Sequence, residues 1–167
     1  TGMSHFLFRP FMTKYTRLDR KTRHAADMYI NVLEQLGVTD VANHGLHIET
    51  CKEWNDEVFR FYESQGVMPR DKIIGFNIGS AVPEKRWPAE RFADVADYFG
   101  NKGYKTVFFG GPMDLDMVKP VVEQMKTSPI VATGAFKLGP LAAAMKWCDL
   151  LITNDSGPMH VAISQGV

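Results

Sequence analysis

The segment Asn154-Asp155-Ser156-Gly157-Pro158-Met159-His160 gathers residue types that can hold an anion. Gly157 has no Cβ, so an anion can approach the main chain there. Pro158 fits the first position of a helix, and a helix start offers free N–H groups and the positive end of the dipole. Asp155 or Ser156 serves equally as the cap of that helix, and His160 reads first as a half-buried structural histidine and only second as a catalyst. In a second segment, Gly79-Ser80-Ala81-Val82-Pro83-Glu84-Lys85-Arg86-Trp87-Pro88, two cations stand just before another helix start. A mobile ammonium and a guanidinium fork suit a diphosphate; the alternative is a solvated basic loop with Trp87 packed beneath it. Asp114, in Phe109-Gly110-Gly111-Pro112-Met113-Asp114, could accept from ribose hydroxyls or cap the helix that follows. Thr133-Gly134 could let a base or ribose lie against the backbone.

Other chemistries lack their residues. There is no G-x-x-x-x-G-K-[ST] for a phosphate loop and no G-x-G-x-x-G after the first strand of the second half, so P-loop hydrolysis and ordinary NAD binding lose ground. No G-x-S-x-G elbow is present. His44 and His47 have no partners at metal spacing, so no zinc site is expected. The run Asp19-Arg20-Lys21 with Arg23 reads as a solvated helix start. Nineteen basic and nineteen acidic residues in a chain of 167 cancel, which argues against a bulk electrostatic grip on nucleic acid. The apolar runs are too short to span a membrane, and the first residues do not resemble a secretory signal. Cys51 and Cys148 read as small apolar residues of a reduced compartment.

These loops need elements to position them, and the pattern supplies them after a division near residue 68. Short apolar runs then alternate with amphipathic stretches, as in repeated βα units. Strands are predicted at 73–78, 105–109, 130–133 and 150–153. Helices are predicted with Pro88 as the first helical residue, around Val118, Val121, Val122 and Met125, opening at Gly139-Pro140, and from Pro158. Pro120 requires either that its helix start near Lys119 or that the first turn be irregular. Gly79, Asp114, Gly134 and Gly157 all fall in loops after strands, where ligands sit in open α/β sheets. In the first part, a helix is predicted over 22–36 with Gly37 as its stop, a weak strand over 41–48, and a helix after a Thr50…Glu53 capping box. Residues 1–20 show no clear period. The short last helix depends on packing for stability, so the sequence is expected to be a piece of a longer chain, truncated at its C-terminus.

Gly79…Lys85-Arg86-Trp87-Pro88, Phe109-Gly110-Gly111-Pro112-x-Asp114 and Asn154-Asp155-Ser156-Gly157-Pro158-Met159-His160-Val161-Ala162, in this order, resemble glycosyltransferase family 9, the ADP-heptose:lipopolysaccharide heptosyltransferases. The resemblance is best over 68–167, and the helix from His24 to Gly37 resembles the family's connecting segment. It implies an α/β, Rossmann-like parallel sheet: residues 69–167 as the sugar-nucleotide half of a two-domain GT-B glycosyltransferase, and 1–68 as the connecting region or a remnant of the acceptor domain. It places Lys85 on the donor phosphates and Asp155, Ser156 and Gly157 on the diphosphate and sugar, with Met159 and His160 lining the site. Asp114 falls near the ribose, where the family commonly has Glu. Gly79 keeps the family's glycine after the first strand, although Ile78 stands where Pro is common. The implied reaction is inverting, metal-independent heptose transfer from ADP-heptose to the lipopolysaccharide inner core. Its general base belongs to a glycine-rich motif of the amino-terminal domain that nothing here matches, so no catalytic residue is assigned and the chain alone is expected to bind donor without turnover. The implied location is cytoplasmic, with peripheral contact at the inner membrane. The competing readings are a GT-B enzyme using a UDP-sugar and a non-catalytic nucleotide-binding module.

Overall fold

The computed structural model describes residues 2–4, 10–13, 15–17 and 24–167. The chain packs as two compact units, Thr1–Gly45 and Leu46–Val167. In the first, β1 (Gly2–Ser4) pairs in parallel with β2 (Tyr15–Arg17), and α1 (Ala25–Gln35) packs on both. The predicted charge run at 19–23 and the first residues of the predicted helix lie outside the described residues. Helix α1 starts where His24 Nδ1 accepts the Ala26 N–H at 3.3 Å.

The second unit holds a four-stranded parallel sheet in the order β5-β4-β3-β6. Its strands are β3 (Ile73–Asn77), β4 (Lys105–Phe109), β5 (Ile130–Val131) and β6 (Leu150–Thr153). The helices are α2 (Lys52–Ser64), α3 (Ala89–Asn101), α4 (Leu115–Gln124), α5 (Leu138–Met145) and α6 (Gly157–Ile163). Alternation along β3 and β4 sorts the core into two faces. Ile73, Val107 and Phe109 join Val58 and Tyr62 of α2, the alanines and Met145 of α5, and Val161 of α6. Ile74, Phe76 and Phe108 face the other way, onto Phe92 and Ala96 of α3 and Val118 and Val121 of α4. Both faces are covered, which is why β3 is buried throughout and reads as a continuous apolar run. Phe76 stacks on Phe108 with ring centroids 5.1 Å apart. At the edge, β6 is less covered, and Leu150 is 44% exposed.

Several expectations need correction. The division at residue 68 moves to Gly45/Leu46, because α2 drives Val58 and Tyr62 into the sheet's core and Tyr62 donates its hydroxyl to Ala144 O at 3.0 Å. No strand forms over 41–48: the segment has no neighbour to pair with, and most of it is exposed. The N-cap of α2 is Cys51 rather than Thr50, so no Thr–Glu box closes; Thr50 Oγ1 instead accepts from Asn55 Nδ2 at 3.5 Å. Helix α4 does not begin near Lys119 but runs through Pro120 from Leu115, following a 3-10 turn at Pro112–Asp114. Pro88 is the N-cap of α3 rather than its first helical residue. The third predicted strand shrinks to two residues.

Both cysteines are free thiols. Burial pushes the Cys148 thiol up to about 12, so it behaves as a small apolar core residue. Among the described residues, no helix is long and apolar enough to cross a membrane and no cluster of His, Cys, Asp and Glu could hold a metal ion.

Candidate functional site

The sheet's order makes the site. From β3 the chain moves outward through β4 to β5, then returns to the other side of β3 as β6. Loops leaving β3 and β6 at their carboxyl ends therefore diverge, opening the crevice in which α/β sheets bind ligands. A cavity of about 560 Å³ occupies it, bounded by Asn77, Gly79, Ser80, Ala81 and Arg86 after β3, Gly111, Pro112, Met113, Asp114 and Met117 after β4, and Ser156, Gly157 and Pro158 after β6. A hollow of about 630 Å³ lies at the other end of the sheet, between Asn55, Phe59 and Trp147, where none of these loops reaches.

Four of the predicted residues meet at the cavity wall: Gly79, Asp114, Ser156 and Gly157. Gly157 opens onto free space, since a Cβ there would touch nothing within 4 Å. Gly79 is needed for close approach, because a Cβ there would stand 2.5 Å from Asp114 Oδ1. Asp114 in turn accepts the Gly111 N–H at 2.8 Å, closing its own 3-10 turn. It thus caps locally and lines the cavity at once, and the two roles left open by the sequence coexist.

The other five sit outside the lining. Lys85 Nζ donates to Asp155 Oδ2, an ion pair that bridges the β3 and β6 loops above the crevice. The hydrogen bond from Lys85, then its charge, holds the Asp155 carboxyl below the usual carboxylate range, with a smaller contribution from His160. Met159 is half-buried and His160 exposed on α6. Gly134 takes φ +79 and donates its N–H to Gly110 O at 2.9 Å; its backbone packs beside Pro112 rather than facing the cavity. On the wall itself, the cation is Arg86, whose Nε is tied to Ser80 O at 2.8 Å. Trp87 sets its ring edge-on to Phe92 at 5.1 Å, which anchors the end of the loop.

Sequence reasoning missed Asn77 as part of the site. Its Nδ2 donates to Ser156 Oγ at 3.0 Å, Gly79 O at 3.2 Å and Thr153 Oγ1 at 3.3 Å. Its Oδ1 is buried without a hydrogen-bond partner, which costs on the order of 1–3 kcal/mol. Asn154, within the predicted motif but not singled out, donates to Ile78 O at 2.8 Å and accepts the Trp87 N–H at 3.0 Å. The available signal was an amide side chain closing one largely apolar strand and another directly following a second, where burial demands a reason for polarity.

Solved proteins share this architecture. The crystal structure of a family 9 glycosyl transferase from Veillonella parvula DSM 2008 superposes with a TM-score of 0.89 at 81% identity, over 99% of this chain and 47% of that one. An Escherichia coli heptosyltransferase, WaaC, solved with ADP-2-deoxy-2-fluoro heptose, shares the fold with a TM-score of 0.64 at 15% identity, over 96% of this chain and 48% of that one. Lipooligosaccharide heptosyltransferase 2 of Haemophilus influenzae is 29% identical over 112 residues, 64% of this chain and 32% of that protein. The chain thus spans about a third of that curated relative's length and about half of the solved chains. Residues 6–167 match the sequence profile of glycosyltransferase family 9 (heptosyltransferase). This chain belongs to glycosyltransferase family 9, the heptosyltransferases.

Proposed function

We propose that this chain is the sugar-nucleotide-binding half of an enzyme that moves heptose from ADP-heptose to a hydroxyl of the lipopolysaccharide inner core. The observation that carries this is the cavity at the topological switch point, walled by glycine backbone, with Arg86 on its lining and the Lys85–Asp155 pair joining its two loops, in a family 9 chain. In this reading the diphosphate enters between Gly79 and Gly157, Lys85 exchanges Asp155 for the β-phosphate, and Arg86 turns from Ser80 O toward the same charge. Asp114 meets the ribose, and the apolar shelf of Pro112, Met113 and Met117 takes the flat base. Met159 and His160 approach the sugar from α6, and Gly134 shapes the backbone behind Pro112.

The acceptor oxygen attacks the anomeric carbon as the bond to the β-phosphate oxygen breaks. Configuration inverts, ADP leaves with the bonding electrons, and the acceptor proton passes to a base on the acceptor domain. Negative charge grows on the departing diphosphate, so cations fixed there stabilise the transition state more than the ground state. Lys85 and Arg86 supply that compensation, and the reading needs no metal or cofactor. The first unit, Thr1–Gly45, then serves as the connection to the acceptor half, and the enzyme works in the cytoplasm, meeting its lipid-borne acceptor at the inner face of the inner membrane.

Calorimetric titration of the protein with ADP-heptose, ADP and UDP-sugars tests the reading. Selective binding of the adenine nucleotides, weakened in Lys85→Ala, supports it. Preference for a UDP-sugar moves the chain to another donor class. Lipopolysaccharide extension that survives Lys85→Ala makes this a nucleotide-binding module instead.

A further inference from the structure

Two asparagines stand at the carboxyl ends of neighbouring strands and reach across the crevice in opposite directions. Asn77 closes β3, yet its amide donates to Ser156 Oγ at 3.0 Å and Thr153 Oγ1 at 3.3 Å on the β6 side. Asn154 follows β6, yet its side chain holds both ends of the loop after β3: it donates to Ile78 O at 2.8 Å and accepts the Trp87 N–H at 3.0 Å. Lys85 and Arg86 lie inside the segment so clamped.

Stability alone does not account for Asn77. The residue is 1% exposed; its Nδ2 also serves Gly79 O at 3.2 Å within its own loop, yet its Oδ1 has no hydrogen-bond partner, a cost the position carries to keep the donor side of the amide. What the position uses is the N–H side of the amide, which ties one crevice wall to the other. A buried amide kept in spite of an unsatisfied atom marks a site where geometry outweighs burial.

We propose that Asn77 and Asn154 are positioning residues for diphosphate recognition, together fixing the 78–87 loop against residues 153–156 so that Lys85 and Arg86 reach the terminal phosphate of a nucleoside diphosphate. This rests on the crevice being the phosphate site, as argued above. The two asparagines need not touch the ligand; they set the width of the gap that the cations span. Looser walls cost most for the group held between them, the terminal phosphate, and least for the nucleoside.

The test is the ratio of AMP to ADP dissociation constants, measured by calorimetry on the full protein at a temperature where circular dichroism shows each variant folded. Asn77→Ala and Asn154→Ala each lower that ratio about three- to tenfold, the span expected for one or two lost hydrogen bonds. Tyr62→Phe, which loses a buried hydrogen bond remote from the crevice, lowers the thermal midpoint and leaves the ratio alone. If an alanine variant does not fold, Asn77→Ser and Asn154→Ser, which are shorter but still carry a donor, take its place with the same expected fall. A ratio that stays at the wild-type value in the asparagine variants while collapsing in Lys85→Ala overturns the positioning role and leaves the phosphate site standing. A wild-type ratio near one, or one unmoved in Lys85→Ala, overturns the phosphate site and the proposal with it.

Discussion

A Lys–Asp pair bridges β3 and β6 at both ends of the sheet, and the two pairs differ in backbone anchorage and in exposure. At the amino end, Lys72 Nζ lies 2.7 Å from Asp149 Oδ1, and Asp149 Oδ2 also accepts the Ile73 N–H at 2.9 Å. At the carboxyl end, Lys85 meets Asp155, whose side chain is 60% exposed against 35% for Asp149. The first carboxylate is fastened to the backbone of a buried strand as well as to its lysine, whereas the second, among the described residues, is held by Lys85 alone beside an open cavity. Similar residue types thus close one end of the sheet and leave at the other a contact that a ligand can replace.

The largest expected effect breaks that symmetry. Lys85→Ala lowers heptose transfer by the full protein about 10²- to 10³-fold, as loss of one contact to a charge growing in the transition state does elsewhere. Lys72→Ala leaves transfer unchanged in the same assay. Next in size is Gly79→Ala. Its methyl group displaces the Asp114 carboxylate from 2.5 Å, and ADP affinity measured by calorimetry falls roughly tenfold.

Acid sharpens the contrast more gently. The hydrogen bond from Lys72, then that from Ile73 N–H, holds the Asp149 carboxyl below its ordinary value. The fold therefore favours the ionised form. That stabilisation is complete above the unfolded carboxyl value of about 4 and disappears as pH falls through the lower folded value. Asp149→Asn should flatten the acid limb of the melting-temperature profile by about 2 °C or less, since the pair is largely solvated. The Asp155 carboxyl is displaced the same way by Lys85 but has no backbone tie, so Asp155→Asn flattens the limb less. Equal flattening in the two variants would erase the distinction. Smallest of all is salt: raising ionic strength should weaken ADP binding in wild type and do so less in Lys85→Ala, because one exposed cation has gone.

The sequence announced the sheet because its physics is local. Ile73–Asn77, Lys105–Phe109 and Leu150–Thr153 are apolar runs bounded by turn residues, and they fall where the strands do. Residues 41–48 carry a similar if weaker pattern, but a strand exists only when another strand accepts its hydrogen bonds. Pro120 sits inside α4 although it removes a donor, showing that burial of Val118 and Val121 outweighs a local penalty. At the site, glycines and cations could be read from type and spacing. Their pairing could not, for Lys85 finds Asp155 only after the sheet brings β3 and β6 side by side. Asn77 was hidden for a related reason: an amide closing an apolar strand looks incidental until its partners prove to lie on the neighbouring strand and its loop.

The open rim of β6 has a practical consequence. A parallel strand at a sheet border displays an unclaimed row of amides and carbonyls, and here the partly uncovered Leu150, Leu151 and Ile152 lie along it. Among the described residues no strand pairs with that border, so at high concentration it is a template for a second molecule. Self-association should grow with dose, and a lysine placed at Leu150 should suppress it.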